Sequence, residues 1–235
     1  MKQLLISAAM LLVLSCAPKA VESPTICAHR GFWKCEDVPN WENTVASLEM
    51  AQKYGFWGSE FDVHLTSDDV VVVHHDDIKD GLLIAESTYA QLAATPLPNG
   101  ETIPTIDEYM DQGAKSSCVL VLEFKPGETQ ERREKMVETS FESLKAHNLW
   151  DPSRVLFISF DLEVCKLVAE KAPEFTNQFL SGYLSPANLK ELGINGLDYH
   201  FNVFHEHPEW VKEAHDLGMS VNVWTVDERE EMEYQ

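Results

Sequence analysis

Charged side chains stand two residues apart at two places in the chain, which is the spacing that puts both on one face of a β-strand. Glu60 and Asp62 form one pair, and Glu123 and Lys125 follow an apolar run. Carboxylates that converge repel one another unless a cation joins them, and hard divalent ions prefer carboxylate oxygens. The three carboxylates therefore predict a metal site if this face is interior. A solvated face, or charges that mark the end of a strand, is the alternative.

Histidines supply candidates for proton transfer. His29 stands at the end of an apolar run, and the pair His74-His75 follows another such run and precedes Asp76. Histidine is half-protonated near pH 6.5, so one ring can accept a proton while another donates one. Two histidines therefore suit a reaction that needs both an acid and a base, although many histidines in such places have only a structural role.

The charge of the chain is strongly negative, with 39 acidic and 18 basic residues and a formal net charge of -21 at pH 7. This balance argues against nucleic acid as a partner, because nucleic-acid-binding proteins carry basic surfaces. Because the chain is so acidic, an anionic small molecule would need a local positive site, made by a bound metal ion and a few local cations.

The first residues have the pattern of an export signal. Lys2 precedes an uncharged run over residues 4–15, which is too short to span a bilayer but typical of a signal peptide. We therefore expect residues 1–15 to be removed. Residues 12–16 resemble a bacterial lipobox and predict lipidation of Cys16, with ordinary cleavage as the alternative. Residues 16–24 would then be a lipid-anchored spacer that tethers an exported domain to the membrane, on the periplasmic side or the cell surface.

Four further cysteines follow Cys16, at positions 27, 35, 118 and 165. Their spacing fits no zinc pattern. Export permits a disulfide, and Cys27 could pair with Cys35, but we expect isolated thiols within strands and helices.

The elements that must position these residues alternate regularly. Short β-rich runs alternate with helical patterns from residue 25 onward, which is typical of βαβ units around a parallel sheet. Seven strands are predicted, at 25–30, 58–65, 118–125, 155–160, 177–182, 196–201 and 220–226. Residues 76–104 interrupt the alternation and predict an excursion on top of the sheet.

Several helix boundaries are also marked. Thr105 and Glu108 have the spacing of a capping box, in which each side chain satisfies a backbone amide of the other residue. Two later helices are predicted to begin at a proline and to end at a glycine, over 186–193 and 208–218.

The mature chain is long enough for one domain, over 25–235, and lies at the low end for an α/β TIM (β/α)8-type barrel. We expect such a barrel, C-terminally truncated so that the eighth strand is missing. Two strand edges would then stay unpaired.

Five motifs, in this order and spacing, resemble those of the glycerophosphodiester phosphodiesterase family. They are His29-Arg30-Gly31, Glu42-Asn43-Thr44, Glu60-Phe61-Asp62, Val72-Val73-His74-His75-Asp76 and Glu123-Phe124-Lys125. The similarity extends through residues 103–108 and 221–225 and so covers most of the mature chain. Trp41 replaces a proline that is usual in the family, and the family's closing strand is absent.

The resemblance implies metal-dependent hydrolysis of a small-molecule glycerophosphodiester to glycerol 3-phosphate and an alcohol. The residues that it implies for acid–base catalysis are His29 and His75. Those implied for the metal, Ca²⁺ or Mg²⁺, are Glu60, Asp62 and Glu123. Those implied for the substrate are Arg30, Lys125 and Trp224. His75 is preferred to His74 because it directly precedes Asp76, as in the family pattern.

Glu42 is expected to support this site from behind the metal ligands, with direct contact to the metal as the alternative. The histidines that we expect to be structural or on the surface are His64, His74, His200, His205 and His207.

Two other functions stay open. One is phospholipase-type cleavage of lipid phosphodiesters on the same barrel, which a lipid anchor would suit but for which the sequence shows no long apolar insertion. The other is a non-catalytic lipoprotein that binds phosphodiesters, against which the complete set of two histidines and three carboxylates argues. The nucleophile, either water or a hydroxyl group of the glycerol, is also open.

Overall fold

The computed structural model describes residues 25–36 and 41–234. The predicted signal peptide, the lipidation site at Cys16 and the spacer lie outside the described residues, and they stay predictions. Within the described ranges, no helix combines the length and the apolar character that crossing a membrane would require.

A sheet of parallel strands forms the centre of the fold. All strands of the described residues, in this sheet and outside it, are β1 (Cys27–Ala28), β2 (Gly58–Leu65), β3 (Val71–Val73), β4 (Ile78–Lys79), β5 (Leu82–Leu83), β6 (Val119–Phe124), β7 (Val155–Ser159), β8 (Asn177–Phe179), β9 (Gly196–His200) and β10 (Ser220–Trp224). Seven of them lie in the order β1-β2-β6-β7-β8-β9-β10, and every neighbouring pair is parallel. All seven predicted strands are therefore confirmed, and six of them are shorter than predicted.

Helices connect the strands. They are α1 (Val45–Tyr54), α2 (Tyr89–Leu92), α3 (Ile106–Gly113), α4 (Gln130–Ala146), α5 (Leu162–Lys171), α6 (Pro186–Glu191), α7 (Phe201–Glu206), α8 (Glu209–Asp216) and α9 (Arg229–Tyr234). The capping box of α3 is confirmed, because the Thr105 amide donates to the Glu108 carboxylate at 2.8 Å and the Thr105 hydroxyl accepts from the Glu108 amide. The two helices with a proline at the start are confirmed as α6 and α8.

Both faces of the sheet are buried, which is why its strands read as apolar runs. Every residue of β2 is buried. On the outer face, Phe61 packs against Tyr109 of α3 with ring centroids 4.5 Å apart. On the inner face, Val121 of β6, Ile158 of β7 and Leu180, which directly follows β8, form an apolar cluster. Inward-facing residues at the strand ends therefore sit on a rigid base.

The segment between β3 and α3 leaves this sheet. β3 pairs antiparallel with β2, and β4 and β5 form a separate two-stranded sheet followed by a short 3-10 turn and α2. A small apolar core of its own holds the segment together, made by Val72, Ile84, Leu92 and Ile103. This segment includes the stretch for which the sequence predicts an excursion.

The parallel sheet has two free ends. β1 and β10 are its first and last strands, and in the described part of the chain no strand lies between them. The fold is thus a TIM-type barrel of seven parallel strands that stays open along one side, as the expected absence of an eighth strand predicts. Cys27, Cys118 and Cys165 are free thiols, so the pairing of Cys27 with Cys35 does not form.

The interior of the barrel also holds the buried carboxyl group of Asp198 on β9. The residue is 3% exposed, and the side chain of Asn222 on β10 donates to it, while its Oδ1 has no hydrogen-bond partner among the described residues. Burial raises the pKa of Asp198 from an ordinary 3.8 to about 7. Between pH 3.8 and about 7, the folded protein therefore holds a proton there that the unfolded chain releases.

This proton makes the stability of the fold depend on pH. The contribution of this proton to the unfolding free energy is complete below the unfolded pKa of 3.8. It is lost as the pH rises from there through about 7. Because asparagine stays neutral, Asp198→Asn is expected to raise the Tm relative to the parent chain more at pH 9 than at pH 6. Thermal melts at the two pH values measure this, with Asp216→Asn on exposed α8 as the control. An Asp198→Asn difference that does not change with pH would contradict the prediction.

Candidate active site

Three carboxylates from β2 and β6 meet near the C-terminal end of β6. The strands are parallel and in register, with Asp62 opposite Glu123, so their inward-facing side chains reach the same rim. Glu60, Asp62 and Glu123 are all buried, and one oxygen from each lies within 4.8 Å of the others. The structure therefore brings together the three residues that the sequence predicts as metal ligands.

The ammonium group of Lys125, just past the end of β6, lies beside two of these carboxylates. Its Nζ is 2.7 Å from Asp62 Oδ1 and 2.8 Å from Glu123 Oε1. Burial alone would lower the pKa of Lys125, but Asp62 and Glu123 outweigh it and raise that pKa. Burial likewise opposes ionisation of Asp62, and the charge of Lys125 outweighs it, so the pKa of Asp62 is lowered.

The other two carboxyl groups are less well compensated. Burial, followed by repulsion from Asp62, raises the pKa of Glu60 well above its ordinary value, and the same causes raise the pKa of Glu123 to about 7. Glu60 Oε2 accepts a hydrogen bond of 2.7 Å from the Arg30 amide, whereas its Oε1 is buried and has no hydrogen-bond partner among the described residues. The cluster thus holds more negative charge than its neighbours neutralise.

A divalent cation fits this cluster. The donor atoms are all carboxylate oxygens, which are the ligands of hard ions such as Ca²⁺ and Mg²⁺. Three carboxylates and one ammonium group leave a formal charge of minus two when all are ionised, which one such ion balances. The unpartnered oxygen of Glu60 would gain a partner in the ion.

The two histidines predicted for catalysis stand at the same rim. His29 directly follows β1, and its Nε2 is 4.0 Å from Glu60 Oε2. His75 follows β3, and it lies close enough to His29 and Asp62 to influence the pKa of each. The side chains of His29 and His75 are 47% and 32% exposed, which leaves both rings accessible to a substrate.

Each histidine has a defined electrostatic setting. Burial, followed by the charge of Arg30, lowers the pKa of His29, so its neutral form predominates near neutral pH. His75 Nδ1 lies 2.7 Å from Asp76 Oδ1, and because a carboxylate only accepts, Nδ1 carries a proton in this contact. In the neutral ring, Nε2 of His75 is then the proton acceptor.

The chain turns sharply after β1, and this turn places Arg30. Arg30 and Gly31 both have positive φ angles, of 57° and 78°. A side chain at Gly31 would collide with Ser47 of α1, so only glycine fits there. The guanidinium of Arg30 is 3.0 Å from Glu42 Oε2. Glu42 therefore orients Arg30, and it is not one of the three clustered carboxylates.

Trp224 lies at the C-terminal end of β10, at the rim that the other strands also reach. Its ring centroid is 5.6 Å from that of Phe160 and 5.1 Å from that of His200, in edge-to-face contacts. Its Nε1 donates a hydrogen bond of 3.0 Å to the Asp198 carbonyl oxygen. The structure thus gives Trp224 an aromatic setting at the end of the last strand.

The sequence pattern did not reveal the part played by Asn43. Its Nδ2 donates to Asp62 Oδ2 at 2.7 Å, and its Oδ1 accepts from the Asp62 amide at 3.0 Å. Its own amide donates to the Arg30 carbonyl oxygen at 3.0 Å. Asn43 is 1% exposed and has a φ of 55°, a conformation that asparagine tolerates better than most residues. It therefore ties the turn that carries Arg30 to the strand that carries Asp62.

Three other histidines make contacts away from the carboxylate cluster, whereas the amide of His74 donates to the Asp62 carbonyl oxygen at 3.0 Å. His200 accepts from the Asn202 amide at the start of α7, His205 pairs with Glu231, and His207 stacks on Trp210. His64 lies on β2, two residues past Asp62. Burial lowers its pKa to about 4, so it is neutral near pH 7.

Comparison with known proteins places the chain in a family. The model of the glycerophosphoryl diester phosphodiesterase family matches residues 29–235. A glycerophosphodiester phosphodiesterase of Caldanaerobacter subterraneus subsp. tengcongensis is 28% identical over an alignment of 224 residues, which covers 88% of this chain and 88% of that one.

Solved structures share the fold. A glycerophosphodiester phosphodiesterase from Parabacteroides distasonis superposes with a TM-score of 0.85 at 42% identity, over 89% of this chain and 87% of that one. An Oleispira antarctica phosphodiesterase, in complex with the product sn-glycerol-3-phosphate, superposes with a TM-score of 0.75 at 27% identity, over 90% of this chain and 88% of that one. Because the family model matches residues 29–235, which are most of the chain, we conclude that the chain belongs to the glycerophosphoryl diester phosphodiesterase family.

Proposed function

We propose that the chain hydrolyses glycerophosphodiesters to glycerol 3-phosphate and an alcohol, with His29 and His75 as the acid–base pair and a divalent ion held by three carboxylates. The observation that carries the proposal is the convergence of these carboxylates with the two accessible histidines at one rim of the barrel. Membership of the family supports the reaction class. The product bound to the Oleispira antarctica relative supports glycerol 3-phosphate as a product.

The carboxylates would hold the ion through one oxygen each, at Glu60, Asp62 and Glu123. A bound divalent ion supplies Lewis-acid stabilisation of the charge on the phosphoryl oxygens. The ammonium group of Lys125 lies beside two of these carboxylates. Together with the guanidinium of Arg30, it would bind the remaining phosphate oxygens. Glu42 keeps the guanidinium of Arg30 in position for this contact.

The histidines would divide the two proton transfers. Burial favours the neutral form of His29, which suits a general base that deprotonates the nucleophile. His75, protonated on both ring nitrogens, would then donate its Nε2 proton to the leaving alkoxide. The Asp76 carboxylate accepts from Nδ1 and would keep Nε2 available for this transfer. The pair thus moves one proton in each direction.

The nucleophile is either water or the neighbouring hydroxyl of the glycerol, and these differ in their first product. Attack by the hydroxyl yields a cyclic phosphate, whereas attack by water yields glycerol 3-phosphate directly. A time course by phosphorus NMR separates them, because accumulation of a cyclic phosphate would exclude a purely direct attack by water.

The proposed function is tested by the release of glycerol 3-phosphate from glycerophosphocholine by residues 17–235. We expect release with added Ca²⁺ or Mg²⁺ and none after chelation. The product is measured by coupling to glycerol-3-phosphate dehydrogenase. Release that survives complete chelation would contradict the metal dependence. Binding of the substrate by a folded chain without any release would favour a binding protein.

Replacement of Asn43 tests how this site is supported. Asn43→Gly and Asn43→Ala both remove the two hydrogen bonds to Asp62, and we expect each to weaken Ca²⁺ binding by roughly tenfold or more, as for other residues that orient metal ligands. Isothermal titration with Ca²⁺ measures this. Only Asn43→Ala also strains the positive φ angle, so it is expected to lower the unfolding free energy by about 1 kcal/mol more than Asn43→Gly. Unchanged Ca²⁺ affinity in both variants would show that Asp62 needs no support from this side chain.

A further inference from the structure

The His64 side chain reaches the loop that carries His75. His64 is 8% exposed, and its Nε2 lies 3.2 Å from the carbonyl oxygen of His75. Because a carbonyl oxygen only accepts hydrogen bonds, Nε2 must carry the proton and donate it. The other ring nitrogen, Nδ1, is 4.0 Å from Asp77 Oδ1. Both ends of the ring therefore face the loop.

Two backbone hydrogen bonds fix the ends of this loop. The His74 amide donates to the Asp62 carbonyl oxygen at 3.0 Å, and the Asp77 carbonyl oxygen accepts from the Ile84 amide at 2.9 Å. Between these two points, the bond from His64 is the hydrogen bond that holds the backbone of the described loop to the sheet. The peptide that carries the His75 ring thus depends on His64.

We propose that His64 is a positioning residue, which holds the His75 backbone so that the ring of His75 stands over the carboxylate cluster. This inference rests on the proposed function, since it concerns the residue to which proton transfer is assigned there. The ring of His64 does not touch the reacting atoms and acts through His75.

The placement of His64 explains how two parts of the site stay aligned. Glu60, Asp62 and His64 lie on one strand, β2, at every second residue, and all three are buried. Glu60 and Asp62 belong to the carboxylate cluster, and His64 donates a hydrogen bond to the backbone of the loop that carries His75. One rigid strand therefore sets both the carboxylates and the backbone at His75. A displacement of a reacting group by about 1 Å can lower a rate by roughly 100-fold, so this coupling matters for catalysis.

Two substitutions separate the hydrogen bond from the volume of the ring. His64→Leu fills the space without a donor, whereas His64→Gln places an amide nitrogen close to the position of Nε2. His215→Leu, at an exposed position on α8, is the control for the loss of a histidine. For each chain, kcat and KM are measured on glycerophosphocholine with saturating Ca²⁺, and hydrogen exchange is measured for the peptide over 72–78.

For His64→Leu we expect kcat to fall roughly tenfold with KM nearly unchanged, and exchange of the loop to rise about fivefold to tenfold, as for the loss of one buried hydrogen bond. His64→Gln is expected to restore most of kcat and most of the protection of the loop from exchange. His215→Leu is expected to match the parent chain in both measurements. Equal values for His64→Leu and His64→Gln, or a change in KM alone, would overturn the proposal. If no chain releases product, the proposed function fails, while the exchange of the loop still decides whether His64 holds it.

Discussion

Replacing His75 with alanine is expected to lower kcat for glycerophosphodiester hydrolysis by about 1000-fold, within the roughly 100-fold to 10,000-fold that one general acid or base contributes. The reason is that the leaving alkoxide would depart without a proton, because no other imidazole is proposed to reach it. Initial rates of glycerol 3-phosphate release at saturating Ca²⁺ measure the effect.

His74→Ala is the matched control for this prediction. His74 is the adjacent histidine, but the contact it gives to the site is its backbone amide, which donates to Asp62 and survives the substitution. We expect His74→Ala to keep kcat within about threefold of the parent, since the half-buried side chain of His74 has no part in the proposed proton transfers. A loss in His74→Ala as large as that in His75→Ala would show that the wrong histidine of the pair has been assigned.

Replacing Glu123 with glutamine is expected to remove most of the stabilisation by Ca²⁺ and to abolish the activity. A ligand at 100 times its Kd raises the unfolding free energy by about 2.7 kcal/mol when it binds only the folded state. Glu123→Gln removes one anionic ligand and should remove most of this gain. Because it also removes a buried carboxylate that Asp62 repels, the metal-free variant should be at least as stable as the parent.

Chemical denaturation with Ca²⁺ and with chelator measures these differences. Glu42→Gln is the control, since Glu42 contacts Arg30 and lies outside the carboxylate cluster. It should keep the stabilisation by Ca²⁺ and raise KM, because Arg30 loses the negative charge of its partner. If Glu42→Gln loses the Ca²⁺ effect as fully as Glu123→Gln, Glu42 itself touches the metal.

Much of the fold could be predicted because parallel strands buried on both faces leave a simple pattern in the sequence. The run before Glu123 is apolar throughout, and the charged residues begin where the strand reaches the rim. The spacing of Glu60 and Asp62 by two residues fixes a common face once the run is taken as a strand. These inferences need only local periodicity.

Contacts between distant segments were not predictable in the same way. The pairing of Asn43 with Asp62 depends on a positive φ angle and on the path of the turn after β1, and neither leaves a signal in the spacing. His64 looks like any histidine of an alternating strand until the loop of His75 folds back over it. The contact of Glu42 with Arg30 likewise depends on the chain reversal at Gly31.

The position of Lys125 bears on the order in which the protein matures. Its ammonium group lies between Asp62 and Glu123, so the folded chain already carries one cation of its own among three buried carboxylates. In small domains that fold only around a metal, the ion itself organises the ligands. Here a large apolar core and an internal lysine can bring the ligands together first. Folding can therefore precede metal binding, and a chain that folds without calcium or magnesium would already have the three proposed ligands assembled.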